Sequence, residues 1–251
     1  MRRLISAILI IAQGLIAAAA RAQDVPVVVE LYTSQGCSSC PPADALMEEL
    51  AARGDVIALS LHVDYWDYIG WADSFAQPAF GDRQRAYAQA AGEHMVYTPQ
   101  MIIGGTHHVI GTDAMAVMDA MRAHASLPVA INLDLSRSGA TLQITASMAI
   151  QGAIADAIPD AVPGAIPGAI PGAMLVQVVR YMPVQSVDIE RGENAGRRLT
   201  YVNVVTSWQL VGRWDGLAPL TLDTPLTGDG PVVVIVQQEG PGRILAAMRL
   251  N

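Results

Sequence analysis

From residue 27 onward the apolar positions of the chain switch between two periods. Residues 27–32 form a continuous apolar run interrupted only by Glu30, which predicts a strand. After the turn-forming stretch 33–36, residues 37–53 predict a helix, with Ala45, Leu46, Glu49 and Leu50 at helical spacing. Pro41 and Pro42 fall in its first turn, where a backbone N–H has no helical partner to lose, and Gly54 ends it. Residues 56–63 predict the next strand, with Leu59, Leu61 and Val63 alternating with Ser60 and His62. A long connection, 64–93, contains a helical stretch over 82–91. It leads to a strand at 100–103, a Gly104-Gly105 hairpin turn, a partner strand at 106–110 and a helix at 113–124 capped by Thr112 or Asp113.

Beyond residue 126 the helical period disappears. Strand-like runs at 129–135, 141–147, 174–181, 184–189, 200–208, 220–222, 232–238 and 244–250, separated by Gly, Pro, Asn and Asp turns, predict an all-β, sandwich-like unit. Within it, residues 151–173 carry Pro159, Pro163, Pro167 and Pro171 at constant spacing. A proline at every fourth residue forbids both a continuous helix and a central strand, so this segment reads as a low-complexity loop expanded between two strands.

The start of the chain reads as an export signal. Arg2-Arg3 precede an apolar run from Leu4 to Ala20 broken only by Ser6, Gln13 and Gly14, and Ala20-Arg21-Ala22 forms a small-x-small cleavage site. Cleavage is expected after Ala22, with an uncleaved N-terminal anchor as the alternative. No later segment is long and apolar enough to cross a bilayer, so the expected location is periplasmic or secreted, where dithiols can be oxidised. The expected organisation is a signal peptide at 1–22, an α/β domain at 23–125 with an aromatic, helical insertion at 64–93, and the β unit at 126–251.

Charge excludes several functions. Losing the three leader arginines leaves 12 basic against 23 acidic side chains, a formal charge of -11, which disfavours nucleic acid as a partner. Every basic side chain is arginine or histidine and lysine is absent, which excludes Schiff-base and lysine-base chemistry.

The only cysteines are Cys37 and Cys40, in Cys37-Ser38-Ser39-Cys40-Pro41 directly after the first strand. As a staple so small a ring would contribute roughly 2 kcal/mol, less than a longer loop, so stability alone would place the cysteines farther apart. Redox chemistry is the leading expectation. Glu30, a carboxylate inside an apolar strand, is costly unless it moves protons, is paired with an arginine or lies exposed at a sheet edge. The two cysteines with one histidine, His62, His94, His107 or His108, form an alternative soft site for copper or zinc, with no spacing that singles one out. Residues 64–93 hold seven of the 13 aromatic side chains, read either as a partner groove or, preferably, as an accessory core. Arg191, Glu193, Asn194, Arg197 and Arg198 cluster in one loop that could bind an anion but reads preferably as a solvated hairpin tip.

The order strand, CxxC at a helix start, helix, strand, helix, Thr98-Pro99, hairpin and helix resembles the thioredoxin superfamily. That resemblance implies an α/β thioredoxin-like domain, followed here by the all-β sandwich-like one. It also implies a cis Pro99 lying with Thr98 against the CxxC. Cys37, at the helix N-terminus, would be the attacking thiolate and Cys40 the resolving thiol. The segments Glu30 to Pro42, His62-Val63-Asp64-Tyr65-Trp66-Asp67, Tyr97-Thr98-Pro99-Gln100 and Arg191-Gly192-Glu193-Asn194 more closely resemble a family of uncharacterised secreted bacterial proteins, domain of unknown function 1223. The functional expectations are a thiol-disulfide oxidoreductase acting on a thiol- or disulfide-bearing protein with no cofactor beyond its own disulfide, a copper- or zinc-handling protein, or a binding module with a structural bridge.

Overall fold

Cys40 is the N-cap of the first helix, so the CxxC occupies the turn before it. The structure, a computed structural model, describes residues 25–149 and 172–250. The leader and nearly all of the proline repeat lie outside the described residues. Strand β1 (Val27–Thr33) leads through the CxxC turn into α1 (Pro41–Ala51) and β2 (Val56–His62). A single 3-10 turn, Asp67–Ile69, precedes α2 (Pro78–Ala90), which starts four residues earlier than the pattern predicts because Pro78 suits the first helical position. Strands β3 (Gln100–Ile103) and β4 (His107–Ile110) form the expected hairpin, and α3 (Ala114–Ala125) is capped by Asp113, whose side chain accepts from the Ala116 N–H at 3.0 Å. The second half contributes β5 (Ile131–Ser138), β6 (Thr141–Met148), β7 (Met174–Asp188), β8 (Arg198–Trp214), β9 (Leu220–Pro225), β10 (Val232–Gln238) and β11 (Ile244–Leu250).

The expected thioredoxin-like α/β domain followed by a separate all-β domain is overturned by the sheet topology. One mixed eight-stranded sheet, in the order β11-β10-β7-β8-β2-β1-β3-β4, runs through both halves, and the described residues are 44% strand against 19% helix. Strand β2 is buried along its whole length and pairs with β1 on one side only. Left open, its other edge would present unpaired backbone groups, and β8 covers it. Ser60 pairs with Val204 in a short parallel contact. Ser60 Oγ donates to the Val202 carbonyl at 2.8 Å, and Asn203, at a left-handed φ of 49°, donates its side-chain amide to the Ala58 carbonyl at 2.9 Å.

The remaining strands, β5-β6-β9, form a small second sheet. Ile131, Leu133, Leu142 and Ile144 from it pack on Val176, Val178, Val232 and Val234 of the large sheet. The packed core of this sandwich comes from the second half, and its larger sheet continues into the first. On the other side of the molecule the strand period decides which residues meet. Val27, Val29 and Leu31 pack on Ala43, Met47 and Leu50 of α1 and on Val117 and Met121 of α3. Val28 and Tyr32, with Ile57, Leu59 and Leu61 of β2, face Phe80 and Tyr87 of α2.

Candidate functional site at the Cys37–Cys40 disulfide

Cys37 and Cys40 are joined in a disulfide with their Cα atoms 5.4 Å apart. The turn is organised locally: Cys37 N donates to the Ser34 carbonyl at 3.1 Å, and Gly36 N donates to Ser34 Oγ at 3.1 Å. An oxidised sulfur carries no hydrogen, so Ser39 Oγ donates to Cys37 Sγ at 3.4 Å. Ser38 and Ser39 are exposed, whereas Cys37 and Cys40 are 1% and 0% accessible.

Thr98-Pro99 is a cis bond, and Pro99 is brought to the first turn of α1 through Gly111. Gly111 N donates to the Pro99 carbonyl at 2.9 Å, and a Cβ at Gly111 would stand 3.1 Å from both Ala43 Cβ and Pro99 Cβ. Trp66 ties the same loop to the CxxC approach. Its Nε1 donates to Thr98 Oγ1 at 2.7 Å, and its backbone and Cβ press on Gly36, where a Cβ would find Trp66 Cβ at 3.3 Å.

The aromatic connection therefore works as a collar around Gln35 and Gly36. Trp71 Nε1 donates to Gln35 Oε1 at 2.8 Å, Gln35 N to Asp73 Oδ2 at 2.7 Å and Gln35 Nε2 to Ser74 Oγ at 3.0 Å. His62, fully buried, donates from Nδ1 to the same Asp73 Oδ2 at 2.7 Å. Among the described residues no three His, Cys, Asp or Glu side chains are grouped as a metal site.

Glu30 lies on the opposite face of β1 from α1, hence across the sheet from the cysteines' helix. Its buried carboxylate accepts from Arg83 Nε at 2.7 Å, Arg83 Nη2 at 2.9 Å, the Tyr87 hydroxyl at 2.7 Å and the Tyr32 hydroxyl at 3.1 Å. Of the readings of this residue, the arginine-paired one describes its geometry, and an edge-exposed acid is overturned because β1 lies between β2 and β3 with Glu30 fully buried.

Two residues that the sequence pattern did not single out for the site belong to it. Asn194, between β7 and β8, is 1% accessible and donates to the Gln35 and Cys37 carbonyls at 2.9 and 3.0 Å, while Arg197 Nη1 donates to its Oδ1 at 2.9 Å. Arg191, Glu193, Arg197 and Arg198 around it are exposed, as a hairpin tip requires. The other is Asp44, one turn into α1 from Cys40, whose N–H donates to the Cys40 carbonyl at 3.1 Å. Its carboxyl is buried, accepts from Thr33 Oγ1 at 2.8 Å, and is pushed up to about 7. Burial is the main cause, with the Thr33 hydrogen bond and His62 pulling down and Asp73 and Glu48 pushing up. The i, i+4 spacing from Cys40 was a readable signal for Asp44, whereas Asn194, expected in a solvated hairpin tip, is buried because its amide satisfies two carbonyls of the CxxC turn.

Residues 28–237 match the family described as Protein of unknown function (DUF1223). The chain belongs to that family. A similar solved structure, protein AGR_C_4864 from Agrobacterium tumefaciens, is 33% identical with a TM-score of 0.72, the comparison covering 90% of this chain and 94% of that one. HBP35 of Porphyromonas gingivalis shares the fold at 15% identity and a TM-score of 0.56, over 90% of this chain and 74% of that one. No curated protein matches the chain. In DUF1223 terms, the matched span contains the disulfide, the collar, the cis proline and the Asn194 turn together.

Proposed function

We propose that the protein is an exported thiol-disulfide exchange protein working through Cys37 and Cys40. The observation that carries this reading is a bridge between the chain's two cysteines at the start of α1, with the cis Thr98-Pro99 loop tied to the same turn by Trp66. The helix start presents unpaired N–H groups and the positive end of the helix dipole, which favour a thiolate at Cys37. A partner thiolate attacks Cys37 Sγ, the Cys37–Cys40 bond breaks with its electron pair on Cys40, and a mixed disulfide forms. A second partner thiol then releases the partner as a disulfide and leaves both cysteines reduced. Run backwards, the same steps oxidise a partner dithiol. Thr98 and Pro99 present backbone to the bound partner chain. The Arg2-Arg3 leader and its cleavage site support a periplasmic or secreted location, and the partner is a thiol- or disulfide-bearing protein.

The burial of both sulfurs favours a second reading, a binding module whose bridge is structural. Equilibration of the purified protein in glutathione buffers, followed by alkylation and mass measurement, separates the two. A reversible potential between about -120 and -270 mV supports exchange, and a bridge that stays closed below about -300 mV in folded protein supports the structural reading.

A further inference from the structure

Three buried polar atoms on the α1 face of the sheet have no hydrogen-bond partner among the described residues: Asp44 Oδ2, His62 Nε2 and Tyr201 Oη. They come from α1, β2 and β8, yet they belong to one cluster. Thr33, which donates to the other oxygen of Asp44, pairs directly with His62 across β1 and β2. The His62 ring meets Tyr201 edge-on at 4.7 Å and Phe75 at 5.2 Å. Leaving so many polar groups unpaired costs about 1–3 kcal/mol apiece, so a purely structural core would have replaced them with apolar side chains.

Opening the disulfide one helical turn from Asp44 calls for a proton. When the disulfide opens, Cys40 leaves as a fully buried sulfur, and a charge there is costly without a proton. Lysine is absent from the chain, and Glu30 lies across the sheet in the grip of Arg83. Asp44 shares a helix face with Cys40, one turn away.

We propose that Asp44 is the internal acid and base of this disulfide, giving a proton to Cys40 as the bond opens and taking it back as the bond closes. This rests on the thiol-disulfide reading. In the opening direction an external thiolate bonds to Cys37 Sγ and the electron pair of the broken bond goes to Cys40 Sγ. The Asp44 carboxylic acid transfers its proton there, leaving Asp44 as carboxylate and Cys40 as thiol. In the closing direction the carboxylate removes the Cys40 proton, and the resulting thiolate attacks the mixed disulfide and expels the partner thiolate. Besides burial, the groups that set the proton affinity of Asp44 are Thr33 from β1, His62 from β2, Asp73 from the collar and Glu48 from α1, while Tyr201 from β8 feels the Asp44 charge together with that of Arg197.

The test is reduction of the purified protein by dithiothreitol from pH 5 to 9, with each rate divided by the dithiothreitol thiolate concentration and the fold of every variant checked by circular dichroism. The wild-type rate is expected to be flat at low pH and to fall about tenfold per unit above an inflection near 7. Asp44→Asn is expected to lose the inflection and to be about tenfold slower or worse at pH 6, and Asp44→Glu to recover an inflection. Thr33→Val removes a hydrogen bond that favours the carboxylate and is expected to move the inflection upward. It also serves where Asp44→Asn does not fold. An unchanged inflection in folded Asp44→Asn, or in Thr33→Val, overturns the role of Asp44 while leaving exchange intact. A folded wild-type protein that no dithiothreitol concentration reduces overturns the exchange reading itself.

Discussion

Asn194 and Cys37 lie 157 residues apart in the chain, yet the Asn194 amide donates to the Cys37 carbonyl at 3.0 Å and, with its other hydrogen, to Gln35 at 2.9 Å. The turn between the two longest strands is thereby fastened over the CxxC. Gly192, at φ 76°, lets the same turn approach Trp71, where a Cβ would come within 3.3 Å of Trp71 Cβ. Both sulfurs are buried, so loosening this turn is expected to raise their accessibility.

Asn194→Ala is expected to speed reduction of the disulfide by dithiothreitol about tenfold, since about 1.4 kcal/mol less to open the turn is a factor of ten. Two buried carbonyls lose their donor, so urea unfolding should show a loss of about 2–3 kcal/mol. An unchanged reduction rate in the folded variant would show that the turn does not gate the site.

Trp66 and Thr98 are expected to act as one unit. Trp66→Phe and Thr98→Val should each lower stability by about 1 kcal/mol, and the double variant by clearly less than the sum, because both single changes remove the same hydrogen bond. A double-mutant cycle in urea checks this. Strict additivity would mean that Trp66 holds the loop by packing alone.

Glu30→Gln leaves the Arg83 guanidinium buried against a neutral amide, with the Tyr87 and Tyr32 hydroxyls still aimed at it. The expected cost is about 3–5 kcal/mol, read from the urea midpoint. A loss under about 1 kcal/mol would show that the network relaxes around the change.

Stability should depend on pH in two opposed ways. Asp44 holds its proton more tightly folded, at about 7, than at its ordinary value of 3.8, so its favourable contribution is complete below pH 4 and is lost as pH rises to 7. The span corresponds to roughly 4 kcal/mol at most. His124 is pulled down to about 4 by burial and then by Arg243 and His107, so its contribution is present above pH 6.5 and lost as pH falls toward 4. The two partly cancel in wild type. Asp44→Asn should therefore gain stability relative to wild type between pH 4 and 8, and urea titrations in which the difference stays constant would refute the assignment.

Much of the first half was legible because its signals are local. The apolar runs of β1 and β2, the prolines of α1 and the Gly104-Gly105 turn each lie within a few residues of the structure they specify. The Cys37–Cys40 pair was visible for the same reason, whereas the cis Thr98-Pro99 bond was implied by the resemblance alone. Glu30 announced itself as an anomaly, but its partner Arg83 stands 53 residues away on a helix that no spacing connects to it.

The sequence by itself determined the elements, the strand alternation that sorts side chains to two faces, and the presence of a dithiol at a helix start. Tertiary structure alone decided that β8 would close the open edge of β2, making one sheet where two domains were expected. Period-two alternation says which side of a strand is buried but carries no information about which strand lies beside it. For the same reason only the folded chain could gather Asp44, His62 and Tyr201 into one buried cluster and tie Asn194 to the Cys37 carbonyl: burial and hydrogen-bond satisfaction are settled between segments far apart in sequence.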